Sequence, residues 1–110
     1  MGPKNGIVYL LNDRINDVYK IGVTRGTAED RIKKLQTGNA NEIRLVKVHK
    51  TKYPFFIEKK LHLKFAGNNV MNEWYYLTHE DVDNFEEYCG KEENIIEAMK
   101  DNPFFTKNLK

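Results

Sequence analysis

Five side chains of this 110-residue sequence carry groups whose types and spacing suggest chemistry. Glu58 and His62 are four residues apart, so a carboxylate and an imidazole share one face if their segment is helical. Arg31 offers a planar guanidinium, which can hold two oxygens of an anion at once. Tyr9 and Lys20 stand in two separate apolar runs. Hydrolysis of a phosphate ester requires a group near the attacking water, positive charge at the phosphate and a ligand for a cation, and these residue types supply all three.

Two short strands must position Tyr9 and Lys20. Residues 6–10 and 19–24 are rich in Ile, Val, Leu and Tyr, a composition that predicts strands. Residues 12–17 between them are rich in Asn and Asp, which are typical of turns, so the two strands are predicted to form a hairpin. Gly22 lies in the second run, where a glycine indicates a bulge or a close approach of the phosphate.

A helix is predicted to position Arg31. Thr27 is a typical N-cap residue, Glu29 and Asp30 favour the first helical turn, and apolar residues recur after them at helical spacing. Residues 43–49 then alternate apolar and polar side chains apart from one apolar pair. This alternation predicts a third strand with one solvated side.

The second half of the chain is predicted to be mainly helical. Pro54 suits the first turn of a helix that carries Glu58 and His62. Beyond it we predict a short extended segment at 74–77, acidic helices at 79–89 and 92–99, and an irregular tail at 102–107. We therefore expect an α/β (α+β) fold, in which a small three-stranded antiparallel sheet is flanked by helices.

The net charge of +2 conceals two oppositely charged parts of the chain. Residues 31–64 hold ten Lys or Arg against two acids, a net charge of +8, whereas residues 65–102 hold ten Asp or Glu against two Lys, a net charge of −8. A basic segment of this kind is typical of a surface that meets phosphates. Five of its side chains are candidates for nucleic-acid contact: Lys33, Lys34, Arg44, Lys59 and Lys60. The alternative is a pair of ordinary solvated helix faces of opposite sign.

Composition excludes several classes of protein. The single cysteine, Cys89, excludes an internal disulfide and a multi-cysteine zinc site, and we expect a buried or idle thiol. No apolar run in the sequence approaches the roughly twenty residues of a membrane span, and the N-terminus lacks the apolar stretch of a signal peptide. We therefore expect a soluble, intracellular protein that has no membrane partner.

The order of these elements resembles that of the GIY-YIG nuclease superfamily. The first strand of that superfamily carries Gly-Ile-Tyr, to which the run Gly6-Ile7-Val8-Tyr9 is similar. The second carries Tyr-Ile-Gly where this chain has Lys20-Ile21-Gly22, so Lys20 takes the tyrosine position. Lys-Ile-Gly followed by a small residue and Thr resembles a phage- and virus-associated branch, as do Arg31 and the segments 58–62 and 72–75. The resemblance covers residues 6–80.

The resemblance implies a metal-dependent endonuclease that hydrolyses phosphodiester bonds in DNA. It implies a nuclease domain at residues 1–80, with an acidic helical extension at 81–110 packed on the same domain. Tyr9 would lie near the attacking water as a general base, Arg31 would contact the phosphate, and Glu58 would bind Mg²⁺ or Mn²⁺. His62 would orient a water, the phosphate or Glu58.

Lys20 has a separate hypothetical role. Because a free tyrosine has a pKa of about 10, it needs a neighbouring cation to act as a phenolate near neutral pH. Lys20 is the candidate for this cation, and its alternative role is to bind the scissile phosphate directly.

Two other functions fit the same sequence. One is a nucleic-acid-binding module without turnover, since Lys20 replaces a tyrosine, and the other is a protein-interaction domain that uses the acidic C-terminal helix. The sequence carries no zinc finger or helix-turn-helix pattern for reading bases, so a homodimer or a targeting partner is a further expectation. Each candidate also has a purely structural alternative, namely interior Tyr9, surface Lys20, exposed Arg31 and Glu58, and core positions for His62 and Trp74.

Overall fold

The computed structural model describes residues 5–38 and 41–100, and within them the chain forms a five-stranded antiparallel sheet with four α-helices. The strand order is β3-β1-β2-β5-β4. A short 3₁₀ turn, Ala66–Asn68, precedes β4. The elements in chain order are β1 (Gly6–Asp13), β2 (Val18–Thr24), α1 (Ala28–Thr37), β3 (Ile43–Thr51), α2 (Pro54–Lys64), β4 (Asn69–Met71), β5 (Trp74–Tyr75), α3 (His79–Asp83) and α4 (Phe85–Met99). The expected α+β class is confirmed.

β1 is buried on both faces of the sheet because its side chains alternate between two cores. Val8 and Leu10 join a core formed with residues of α2 and α4, and we call this side the α2 face. Ile7, Tyr9 and Leu11 join a second core against α1, which we call the α1 face. Each face of the central strand is therefore covered by helices.

The expected three-stranded sheet is wrong in the number of strands, because β4 and β5 extend it beyond β2. These strands contain three and two residues, which is too short for alternating polarity to be recognised in a sequence. Asn72 makes the tight connection between them with a φ of 53°, a left-handed conformation that asparagine tolerates better than most residues. The extended segment predicted at 74–77 is the β5 strand and its continuation.

The acidic helices also differ from their predicted bounds. The first ends at Asp83, because the backbone of Asn84 leaves the helical conformation, with φ −94° and ψ 5°. α4 then runs without interruption through Gly90, where a helix break was predicted. A single glycine costs a helix about 1 kcal/mol, which the buried side of α4 outweighs. The predicted tail at 102–107 lies outside the described residues.

α4 turns both its apolar side and some of its acids toward the domain. Glu93 lies 3.1 Å from His49 Nε2, and Tyr53 donates a hydrogen bond of 2.9 Å to Glu97. Cys89 is fully buried, and burial raises the pKa of its thiol to about 12. In the described part of the chain, no helix combines the length and the hydrophobicity that crossing a membrane requires.

The hairpin that joins β1 to β2 depends on Asp13. Its Oδ1 accepts hydrogen bonds from the N–H groups of Ile15 and Asn16 at 2.9 and 3.2 Å. Its Oδ2 accepts from the side-chain amides of Asn16 and Asn41, each at 3.1 Å. Burial alone would raise the pKa of Asp13, but these hydrogen bonds outweigh it and lower the pKa below 3.8.

We predict that Asp13→Asn lowers the free energy of unfolding by about 1–3 kcal/mol, because an amide cannot accept all four hydrogen bonds. The contribution of a carboxyl with a lowered folded pKa is complete above its ordinary value of 3.8 and is lost as the pH falls through the folded pKa. Urea unfolding should therefore show the full difference at pH 7 and a smaller difference as the pH falls below 3.8. Asp17→Asn is the matched control, since Asp17 lies in the same turn with a φ of 53° that asparagine accepts. Equal losses in both variants would contradict the assignment.

Candidate active site

Tyr9 lies at the centre of β1 with its ring directly over Gly22 of β2. The two residues are partners in the antiparallel register, so their side chains would point to the same α1 face. A β-carbon built on Gly22 would overlap the Tyr9 hydroxyl oxygen. Gly22 therefore leaves space for the phenol, whereas the sequence suggested a bulge or a close approach of the phosphate.

Arg31 fixes the hydroxyl group of Tyr9. The first turn of α1 is capped by Thr27, whose hydroxyl oxygen accepts from the Asp30 N–H at 3.1 Å. Arg31 follows in this turn, and its Nε donates a hydrogen bond of 3.2 Å to the Tyr9 oxygen. That hydrogen bond is the main reason why the pKa of Arg31 is raised. A permanent cation thus lies beside the phenol.

Lys20 is paired with Glu73. Its Nζ lies 2.6 Å from Glu73 Oε2, and only 9% of the lysine side chain is exposed. The cation that hydrogen-bonds to the phenol is Arg31. Glu73, the residue before β5, is one for which the sequence suggested no role, since its partner is 53 positions away along the chain.

Glu58, His62 and Glu73 form a group of possible metal ligands. One ligand atom from each lies within 4.8 Å of the others. Glu58 and His62 are one turn apart on α2, and Glu58 Oε2 is 4.0 Å from His62 Nε2. The same nitrogen lies 3.0 Å from the Ile21 carbonyl oxygen, so in this arrangement it carries the hydrogen and donates it. Nδ1 is then the basic nitrogen of the ring.

The end of β5 explains how residues from both faces of the sheet meet. β2 pairs with β5 at Tyr19 and Lys20, and the Ile21 N–H makes a last hydrogen bond to the Glu73 carbonyl oxygen. Beyond this point the Ile21 carbonyl oxygen accepts a hydrogen bond from His62 instead of from a neighbouring strand. Side chains from α2 therefore reach the edge of β2 where Lys20 and Glu73 lie. We call this place the β2 notch.

The two carboxyl groups of the β2 notch have opposite electrostatic environments. Burial raises the pKa of Glu58, and the nearby charge and hydrogen bond of Glu73 raise it further, although His62 and Lys20 partly oppose this. Burial would also raise the pKa of Glu73, but the hydrogen bond and charge of Lys20 outweigh it and lower the pKa. Of the two carboxyl groups, Glu58 therefore binds a proton more readily than Glu73 does. The charge of Glu73 makes a further, smaller contribution to the raised pKa of Arg31.

This donor set fits a hard divalent cation. Two carboxyl groups with waters are a usual way to hold Mg²⁺ or Mn²⁺. Burial and the neighbouring charge of Glu73 both raise the pKa of Glu58, and a cation between the two carboxyl groups would relieve their repulsion. Glu58 and Glu73 are the residues that would hold such an ion.

The five predicted nucleic-acid contacts are exposed, but they lie on different elements. Lys33 and Lys34 are on α1, which covers one face of the sheet, whereas Lys59 and Lys60 are on α2, which covers the other. Arg44 is exposed on the edge strand β3. The structure therefore does not gather them on a single face.

We predict that Gly22→Ala lowers the free energy of unfolding by about 1–3 kcal/mol, since the new methyl group must displace the Tyr9 ring from a filled core. Urea unfolding measures the change. Gly90→Ala is the matched control, because its new methyl group meets nothing within 4 Å and removes a glycine from α4, so this variant should be slightly more stable. A Gly22→Ala protein as stable as the wild type would contradict the close packing of Tyr9 on β2.

Comparison with known proteins places this chain in a family. The T5orf172 domain matches residues 6–89. Over 76 residues, or 69% of this chain, the sequence is 34% identical to the uncharacterized protein L754 of Acanthamoeba polyphaga mimivirus, of which that match spans 20%. No solved structure matches the chain. The chain therefore belongs to the T5orf172 domain family, a group of nuclease-associated, GIY-YIG-like domains found in phage and viral proteins.

Proposed function

We propose that this protein is a metal-dependent endonuclease that hydrolyses phosphodiester bonds in DNA. The observation that carries the proposal is that two pairs, Tyr9–Arg31 and Lys20–Glu73, lie on the same face of β2 at alternate residues, with the carboxyl group of Glu58 beside the second pair. A fold made for stability alone gains little from holding two neighbouring carboxyl groups, a lysine and an arginine together at buried or half-buried positions. Neighbouring carboxyl groups whose pKa values are shifted in opposite directions are typical of sites that do chemistry.

Each group has a distinct role in this proposal. Arg31 binds the oxygens of the scissile phosphate while its Nε holds the Tyr9 hydroxyl. Tyr9 positions the attacking water and takes part in moving its proton. Lys20 keeps Glu73 ionised and in place. When Mg²⁺ or Mn²⁺ is bound by Glu58 and Glu73, it supplies positive charge for the phosphate oxygens.

The surroundings of the site suit a polyanionic substrate. Exposed lysines on α1 and α2 lie on the two helices that contribute Arg31 and Glu58. Contacts of such side chains with phosphates are independent of base sequence and weaken with salt. One site of this kind cuts one strand, so nicked DNA is the product that we expect from a single domain.

The second candidate is a nucleic-acid-binding module without turnover. One observation favours it: Lys20 stands at a tyrosine position of the superfamily and forms an ion pair with Glu73. The protein-interaction alternative has less support, because Glu93 and Glu97 of the acidic helix bind His49 and Tyr53 of the same domain.

We predict that the protein nicks supercoiled plasmid with Mg²⁺ or Mn²⁺ and not with EDTA. Glu58→Gln and Tyr9→Phe should each lower the rate about a hundredfold or more, since each removes a group that acts on the reacting atoms. Glu80→Gln, an exposed change on α3, is the matched control and should keep the wild-type rate. Gel electrophoresis of the plasmid forms measures all four proteins. Plasmid that is retarded but uncut by the wild type would instead establish the binding module.

A second prediction concerns stability and has no need of activity. A carboxyl with a raised folded pKa destabilises the folded protein as the pH rises above its ordinary value of 4.5 and through the folded pKa. In EDTA at pH 8, Glu58→Gln should therefore raise the melting temperature. Mg²⁺ at a hundred times its dissociation constant should stabilise the wild type by about 2.7 kcal/mol and the variant by much less.

Lower pH should weaken the effect of the ion, because a proton on Glu58 competes with it. Thermal unfolding with and without Mg²⁺, at pH 8 and at about pH 5, checks both directions, with Glu80→Gln as the control. A Glu58→Gln protein that melts below the wild type in EDTA, or an equal effect of Mg²⁺ on both proteins, would contradict the proposed ion site.

A further inference from the structure

A cleft of about 430 Å³ opens beside the β2 notch, on the α1 face of the sheet. One wall is formed by the β4–β5 hairpin and the residue after it, through Val70, Met71, Trp74 and Tyr76. The opposite rim is polar and includes Asn16 of the β1–β2 turn. An aromatic wall with a polar rim is the usual construction of a site for a flat, partly polar ligand.

The apolar and aromatic side chains that form the wall of this cleft are exposed to solvent. Met71 is 63% exposed, Tyr76 60% and Val70 45%. Isolated apolar residues on a surface are common and need no explanation, but these three are contiguous with the half-buried Trp74. Within residues 5–38 and 41–100, no segment covers them.

The cleft continues directly from the proposed active site. Val18, which lines the cleft, and Lys20 are alternate residues of β2 and therefore share a face, about 7 Å apart. Trp74 is the register partner of Lys20, and the lysine Nζ lies 5.9 Å from the centroid of its ring. The residue before Trp74 is Glu73, the carboxylate of the notch. A ligand in the cleft would thus lie beside the Lys20–Glu73 ion pair.

We propose that this cleft binds an unpaired base of the nucleic acid, next to the phosphate that is held at the active site. Trp74 and Tyr76 stack on the base, and the adjoining phosphate lies toward Lys20 and Arg31. The proposal rests on the proposed function in one respect, which is that the phosphate binds at the notch. A base can enter such a cleft only when it is unstacked, so the preferred substrate is single-stranded or locally unpaired.

A base fits the cleft better than a second copy of this chain does. A stable protein interface buries roughly 800 Å² on each partner, whereas this wall is formed by two strands of three and two residues. A cation beside an aromatic ring and a polar rim also suit a nucleotide, which combines a flat base with a negative phosphate.

Trp74 is the one tryptophan of the chain, so its fluorescence reports directly on stacking in the cleft. The protein in EDTA would be titrated with a fluorophore-labelled thymidine oligonucleotide of about ten nucleotides, and in parallel with a labelled blunt duplex. Fluorescence anisotropy measures binding and tryptophan emission measures stacking. We expect the single strand to bind more tightly than the duplex and to quench Trp74, whereas the duplex binds with little quenching.

Tyr76→Ala should weaken binding of the single strand roughly tenfold and leave duplex binding within about twofold. Phe55→Ala is the matched control, since Phe55 is a similarly exposed aromatic residue, at 54%, on α2 and outside the cleft. It should bind both oligonucleotides as the wild type does. Because Tyr76 is exposed, the Tyr76→Ala protein should fold as the wild type does, and unchanged thermal unfolding would verify this.

Four results would overturn the proposal: no binding of either oligonucleotide, binding without quenching, equal affinity of Tyr76→Ala for the single strand, or a Tyr76→Ala change that converts a dimer to a monomer in sedimentation without affecting DNA binding. The proposed endonuclease fails separately. A protein that quenches with the single strand in EDTA but cuts no DNA with Mg²⁺ would retain the base-binding cleft and lose the nuclease. A protein that nicks plasmid without quenching would do the reverse.

Discussion

The pairing of β2 with β5 ends at Ile21, although β2 stays paired with β1 along its whole length. The arrangement of the site depends on this early end of the β2–β5 pairing. A longer β5 would carry backbone hydrogen bonds along the edge that His62 now reaches. The sheet would then separate the α1 face from the α2 face along its whole length, as a continuous sheet does. Because pairing ends here, Glu58 and His62 of α2 come close to Glu73, which is bonded to Lys20 on the α1 face. A site shared by the α1 face and the α2 face can therefore form at this edge of β2.

Charge in this volume is balanced unevenly. Glu73 is compensated by Lys20, whereas Glu58 is opposed by burial and by its neighbour and has weaker support from His62. The folded protein therefore holds one group in an environment that disfavours its ionised form. Natural proteins tolerate such unfavourable groups at sites where a ligand later compensates them. The apolar cores on the two sides of β1, with Tyr9 and Leu10 almost completely buried, provide the stability that makes this possible.

Much of the scaffold could be predicted from local sequence, whereas the contacts within the site could not. Strong patterns such as the Asn/Asp-rich turn before Val18 and the Thr27 cap identify β1, β2 and α1, because turn and capping chemistry acts within a few residues. β4 was missed, and β5 was predicted as an extended segment but not as a strand of the sheet, because two or three residues carry no readable period. Glu73 was noticed as part of a motif but without a role, since its bond to Lys20 joins distant parts of the chain. Helical spacing correctly brought Glu58 and His62 to one face, but it carries no information about which carbonyl the imidazole would bind.

The environment of Cys89 has a practical consequence for experiments on this chain. Thiol reagents react with the thiolate, and a buried thiol with a pKa raised to about 12 offers almost none at neutral pH. Because this is the chain's one cysteine, the folded protein should not react with maleimide labels. A cysteine introduced at an exposed position would therefore be the sole reactive site. Spin labels or dyes can be attached there without first replacing a residue that helps α4 to pack on the sheet.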